Sequence, residues 1–338
     1  MTQQKDLKKR IRERQARTGE SYSTARMHVL GEQMETLAPK ASAPTRHEAV
    51  VLKVGSQSAR VRMFGEEGEV TFRSDDLYDV APAHVVTLLV EKRWLWRGDA
   101  YASGKVAETR IDIPRLGLMP LALEGGEPED IRESSEPCRG SDPYSKLRRM
   151  LTAKPRASYE FDKLAWGAFP GADPEDNPTC EAAELRARGR DGEARALLMD
   201  ALGRDLRVLD AHAGLGSMVF ERSPERALVH YEIGVRLGEL SLPAGFDGLL
   251  PWRRPYNRPF LRCLHGHGLS MWRRGDLAGA KNTFERILSL DPDDHQGVRF
   301  CWHDVQAGRS WEEMNAREKA APAARRTRIA SSRSLARR

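Results

Sequence analysis

Cys263, His265 and His267, followed by His295, Cys301 and His303, are the residues of this 338-residue chain whose types could hold a metal. Zinc needs four ligands converging on a tetrahedron. Cys263 and His267 are four apart and share a helix face, whereas His265 points away from it. His267 also adjoins Gly268, at a small-residue seam where an imidazole packs and hydrogen-bonds. The four cysteines, Cys138, Cys180, Cys263 and Cys301, form no CxxC pair, so neither a zinc ribbon nor a disulfide framework is expected. Asp291, Asp293 and Asp294 lack the spaced oxygen ligands and terminal glutamate of a calcium loop, and read as caps for a helix starting near Asp294. Walker, GxSxG and HExxH motifs are missing from the sequence. The expectation is a protein without catalytic residues, metal or cofactor. An enzyme of unfamiliar type, centred on residues 241–258, ranks well behind.

Binding chemistry is better represented. Trp252, Arg253, Arg254, Tyr256, Arg258 and Arg262 combine arginine with aromatics, the composition of protein-binding hot spots. They form the candidate partner-binding set. The competing structural reading pairs Arg258 and Arg299 with buried acids that pin the surrounding segment down. A second candidate set lies at the start of the chain. Lys8, Lys9, Arg10, Arg12, Arg14 and Arg17 precede Thr24 and Arg26 in a stretch of net charge +5 over residues 1–30. Residues 317–338 carry +7, so the overall +6 leaves −6 for residues 31–316. Basic ends on an acidic body are an electrostatic footprint of nucleic-acid or other polyanion contact.

The elements that must position these residues follow from periodicity. Residues 4–17 and about 22–37 have helical spacing and are separated by Thr18-Gly19-Glu20-Ser21. This basic arm, residues 1–37, resembles the core of a helix-turn-helix, with Thr24 and Arg26 early in its second helix. A Pro/Ala/Ser linker spans 38–46. Alternating patterns then predict strands at 47–54, 58–64, 69–73, 84–96 and 101–113. Five strands in so short a stretch make 47–123 a small β-barrel, SH3-like or OB/S1-like. Its aromatic and basic residues Phe64, Phe72, Lys92, Arg93, Trp94, Trp96 and Tyr101 could meet nucleic acid. Large aromatics dominate small cores, however, so Trp94 and Trp96 are expected to fill the barrel or pack on its neighbour. Residues 124–177 are proline-rich and acidic, and read as a connector. A basic, disordered tail is expected over 313–338.

From 178 to 312 the pattern is helical and repeats. In Ala194/Leu198, Ala227/Tyr231 and Ala280/Phe284 a small residue precedes a large one by four. The first two alanines are 33 residues apart and the next interval is 53, about 19 more than one tetratricopeptide unit. The excess is the insertion Ser241–Arg258. In the last unit Gly268, Ala280, Phe284 and Pro292 occupy the small, small, aromatic and terminating-proline positions. The segment therefore resembles a divergent tetratricopeptide array. Residues 230–235 (HYEIGV), 257–263 (NRPFLRC) and 291–299 (DPDDHQGVR), with Ser103–Leu121 and Asp210-Ala211-His212, are similar to an uncharacterised group of bacterial cytoplasmic proteins. That resemblance implies a fold and a cytoplasmic location, and no catalytic residues.

The expected architecture is multidomain α+β: a basic helical arm, a small barrel and a tetratricopeptide-like array. The expected function is a noncatalytic adaptor. Its array takes a protein partner while barrel and arm contact nucleic acid or another polyanion. The alternative is a pure protein-interaction scaffold. Exposed barrel aromatics favour the first and buried ones the second. No run approaches the ~18 apolar residues of a membrane span. Met1-Thr2-Gln3-Gln4-Lys5-Asp6 leads into charges and not into an apolar signal.

Overall fold

A computed structural model describes residues 8–9, 11–14, 43–129, 141–171, 173 and 176–320. It is a mixed α+β structure with one closed five-stranded barrel, a two-stranded sheet and a series of helices. Residues 8–9 and 11–14 are helical, inside the helix expected for 4–17, and Ile11 is buried. The second half of the expected helix-turn-helix, most of the linker and the tail beyond residue 320 lie outside the described residues. Among the described residues no helix is long and apolar enough to cross a membrane.

The barrel strands are β1 (Thr45–Val54), β2 (Ser58–Met63), β3 (Val70–Arg73), β4 (His84–Trp96) and β5 (Asp99–Ile111). Their order around the barrel is β1-β2-β3-β5-β4, with β3 and β5 parallel and the other pairs antiparallel. Ala59, Val61 and Met63 of β2, with Val70 and Phe72 of β3, point inward and are buried. Ala49, Val50, Val51 and Leu52 are buried on both faces of β1, because its outer face packs on a helix of the following region. That is why this strand reads as a continuous apolar run. Arg97 and Gly98 join β4 to β5, both with positive φ (54° and 91°). Such a turn matches the strand twist in a two-residue hairpin. β4 and β5 are long enough that Glu91–Trp96 runs past the barrel core and is exposed throughout. A β-bulge near Glu91 marks the point where the hairpin departs. Gly104 sits against it: a Cβ there would lie 1.9 Å from the Leu89 carbonyl oxygen.

Residues 124–177, expected as a connector, carry regular structure. β6 (Leu123–Glu129) pairs antiparallel with β7 (Arg156–Phe161), and helix α1 (Pro143–Leu151) lies between them. The insertion joins this sheet. The Tyr159 amide donates to the Leu249 carbonyl at 2.9 Å, and the Leu249 amide donates to the Ala157 carbonyl at 2.7 Å.

Helices α2 (Pro178–Ala187), α3 (Asp191–Arg204), α4 (Leu209–Val219), α5 (Pro224–Glu239), α6 (Arg258–Arg273), α7 (Leu277–Leu290), α8 (Val298–Gln306) and α9 (Trp311–Ala320) follow. Consecutive members from α2 to α8 pack on one another, and α4 also packs on α6. Ala194, Ala227 and Ala280 are fully buried, and the large residue four places on is buried in each case. Glycines make the room. A Cβ at Gly268 would lie 2.5 Å from the Phe284 ring, and one at Gly266 or Gly216 would lie 2.2 or 2.8 Å from the Tyr231 ring. Real side chains essentially never approach so closely, so these rings lie directly on helix backbone.

Barrel and helices share one continuous core. The Lys53 ammonium pairs with Asp200, and Arg195 donates to the Val54 carbonyl at 3.4 Å. His84 of β4, His212 of α4 and His230 of α5 are all buried, and they lie close enough to repel one another if charged.

Candidate functional site

The strand register places several exposed residues on one outer face of the barrel. Trp94 stands opposite Tyr101, Lys92 opposite Ser103, and Tyr101 beside Thr71 of β3. Side chains alternate along strands, so Trp96 and Arg73 share this face, as do Arg60 and Arg62 of β2. Trp94 and Tyr101 stack with ring centroids 5.5 Å apart and planes 13° from parallel. Trp96 meets Tyr101 edge-on at 6.2 Å. The Arg73 guanidinium lies 5.8 Å from the Trp94 ring and 5.5 Å from Tyr101, and Arg97 lies 4.6 Å from Trp96. Trp94 is 37% exposed, Trp96 54% and Leu95 78%.

The expectation that Trp94 and Trp96 pack is therefore corrected. They ride on the part of the hairpin that has left the core, and both are exposed. The other barrel candidates divide. Phe72 is core, and Phe64 is half-buried beneath Arg115. Arg93 turns to the opposite face and donates to Glu66 at 2.9 Å. Arg60 and Arg62 share Glu69. Lys92, Arg73 and Arg97 supply exposed positive charge beside the rings.

A second site is concave. Trp166, Pro255, α2, α4 and the start of α6 enclose a cavity of about 290 Å³. Arg186 comes from α2, Asp210 from α4, and Arg258 and Arg262 from α6. The Arg262 guanidinium donates to Asp210 at 2.5 Å, with both side chains about one-seventh exposed or less. Burial pushes the Asp210 carboxyl above its usual range, against the pull of Arg262. The Cys180 thiol is raised by the same burial and by the nearby Asp210 charge. Arg186 donates to the Ser217 hydroxyl at 2.6 Å, and Arg258 donates through Nε to the Trp252 carbonyl at 3.0 Å.

The partner-binding candidates are thus split by the structure. Arg258 and Arg262 reach the cavity. Tyr256 is half-buried against Trp166, 5.9 Å between centroids. Trp252 is half-buried and its amide donates to Asp291 at 3.3 Å, so it fastens the insertion. Arg253 is exposed and Arg254 half-buried, outside the cavity lining. Asn257, fully buried, accepts from the Phe161 amide and donates to the Tyr159 and Pro251 carbonyls. Arg186, Asp210 and Trp166 were missed by sequence reasoning because three separate segments bring them together.

Of the three aspartates expected as caps only Asp294 serves the helix, which starts at Val298 and not near Asp294; Asp291 accepts from the Trp252 and His295 amides and Asp293 pairs with Arg148. Asp294 accepts from the amides of Val298 and Arg299 at the start of α8, and its carboxylate pairs with Arg299 at 2.8 Å. Cys263 and His265 are buried, the thiol donating to the Leu209 carbonyl at 3.4 Å and the imidazole edge-on to Phe284. Among the described residues no three His, Cys, Asp or Glu side chains gather as a metal site. Of the arm residues, Lys8, Lys9 and Arg12 are exposed and Arg14 is half-buried, with Lys9 4.0 Å from Glu13. Arg10, Arg17, Thr24 and Arg26 lie outside the described residues. No family model matches the chain, and no curated protein matches it.

Proposed function

We propose that this chain is a noncatalytic adaptor. Its barrel face and basic arm contact nucleic acid or another polyanion, and its helices take a protein partner. The observation that supports the reading is the cluster of exposed Trp94 and Trp96 about half-buried Tyr101, with Arg73 and Arg97 against it. Rings of this kind accept successive bases, at about 1–3 kcal/mol per base, while neighbouring cations take phosphates. The strand order β1-β2-β3-β5-β4 with β3 parallel to β5 favours an OB-like barrel over an SH3-like one. In OB-like barrels the β2–β3 face and the β4–β5 loop are the ligand face.

The helices we read as a divergent tetratricopeptide array. Helix pairs α4/α5 and α6/α7 meet through a small residue and an aromatic, as that repeat requires, and α4 lies on α6 as successive first helices of a solenoid do. The concave side then belongs to α2, α4 and α6.

Fluorescence-anisotropy titration of the full chain with labelled single-stranded and duplex oligonucleotides, at low and physiological salt, tests the reading. The expected result is binding that favours single strands and weakens with salt as counterions are released. No binding of either at low salt would leave the protein-interaction scaffold as the better reading.

A further inference from the structure

The concave cavity has a composition at odds with its surroundings. Residues 31–316 carry −6, yet among the described residues three guanidinium groups line a space of about 290 Å³ against one carboxylate. Arg186, Arg258 and Arg262 come from two helices and hold their places through Ser217, the Trp252 carbonyl and Asp210. Partly buried charges of one sign repel more strongly than they would in water. A set of cations oriented this way is therefore suited to an entering anion, whatever internal hydrogen bonds it already makes. Much of the rest of the wall is flat or small, from the Trp166 indole and Pro255 to Ala182, Ala183, Ala213 and Gly214, and Thr179, Cys180, Leu198 and Ser217 complete it. The space falls at the lower end for a small-molecule site, and its mix of apolar wall and few polar groups is typical of one.

We infer that this cavity binds a small organic carboxylate with a flat apolar body, its carboxylate on Arg186 and Arg258 and its body against Trp166. Guanidinium forks pair with carboxylate and phosphate alike, so charge decides between them, and a carboxylate carries only one negative charge. Asp210, held at the floor by Arg262, opposes a second negative charge. The inference is independent of the barrel and of its ligand.

The test uses benzoate, benzamide, acetate and inorganic phosphate as probes of the full-length protein, at constant ionic strength. Binding is followed through the Trp166 indole N–H signal, assigned with Trp166→Phe. Benzoate should bind saturably, with acetate weaker and benzamide without effect. The double variant R186Q/R258Q, which leaves the Arg262–Asp210 pair in place, should weaken benzoate at least tenfold. Equal binding of benzamide, tighter binding of phosphate, or a benzoate response unchanged in the double variant would overturn the inference. Should that variant fold poorly, the wild-type protein still decides: no saturable movement of the Trp166 signal with benzoate removes the site.

Discussion

In the helical region Tyr231 lies against the backbone of Gly216 and Gly266, and Phe284 against Gly268, both fully enclosed. On the barrel, Trp94 and Tyr101 lie against each other and an arginine, with solvent beyond. The residue types are alike, and what surrounds them is not. A ring that has a glycine to rest on is bound into the fold, because no other side chain could occupy its place. A ring with only another ring beside it retains a free face. The first arrangement stores stability, and the second offers a surface to a ligand. Substitutions in the two regions should accordingly separate stability from binding.

The largest expected effect on stability is at Tyr231. Tyr231→Ala leaves two glycine-lined helices with nothing between them, and should cost about 3–5 kcal/mol in urea denaturation. A cost below about 1 kcal/mol would break the comparison at its structural end.

Acid should come next, through the histidines. Burial lowers His84, His212 and His265 to about 4, and His230 well below its usual value. Between about pH 6.5 and 4 the unfolded chain therefore binds more protons than the folded one. Stability should be full above about 6.5 and fall as the pH drops, by at most about 1.4 kcal/mol per pH unit for each histidine. His267 is lowered by burial as well. Asp294, raised to about 6 by burial, Asp210, also raised, and His295, raised by Asp291, work in the opposite direction, so five imidazoles face three groups. Urea midpoints at pH 7, 6 and 5 check this, and a flat profile would contradict the burial of these rings.

Ala280→Leu should overpack the α6–α7 crossing and cost about 1–3 kcal/mol, read as a lower melting temperature. Smallest of all should be Trp94→Ala, within about 0.5 kcal/mol of wild type in the same assay. A large loss there would show that the ring holds the hairpin together and would blur the distinction between the regions.

The barrel strands were legible because one face alternates cleanly, as in SARVRM, and Gly55 and Gly65 punctuate it. The exposure of Trp94 and Trp96 was not. Trp94, Leu95 and Trp96 are residue types that fill cores, and the length of β4 and β5 beyond the barrel takes them out of it. β6 was hidden because LEGGEPE is a poor strand on its own terms. It is held by β7, which in turn is bridged to Leu249 some ninety residues on. The small-large repeat revealed the helix crossings, since packing at Ala194, Ala227 and Ala280 is local in sequence. The cavity escaped notice for the opposite reason. Arg186, Asp210 and Arg262 are unremarkable until three helices converge, and of them only Arg262 lay in a stretch whose composition stood out.

The central claim is that the barrel's exposed rings bind bases. Anisotropy titration of a labelled single-stranded oligonucleotide with the full chain and with the Trp94→Ala/Trp96→Ala variant, at physiological salt, tests it most directly. The account predicts affinity reduced about tenfold or more, with the melting temperature of the protein unchanged. Equal affinity of the two proteins, at equal stability, would contradict it.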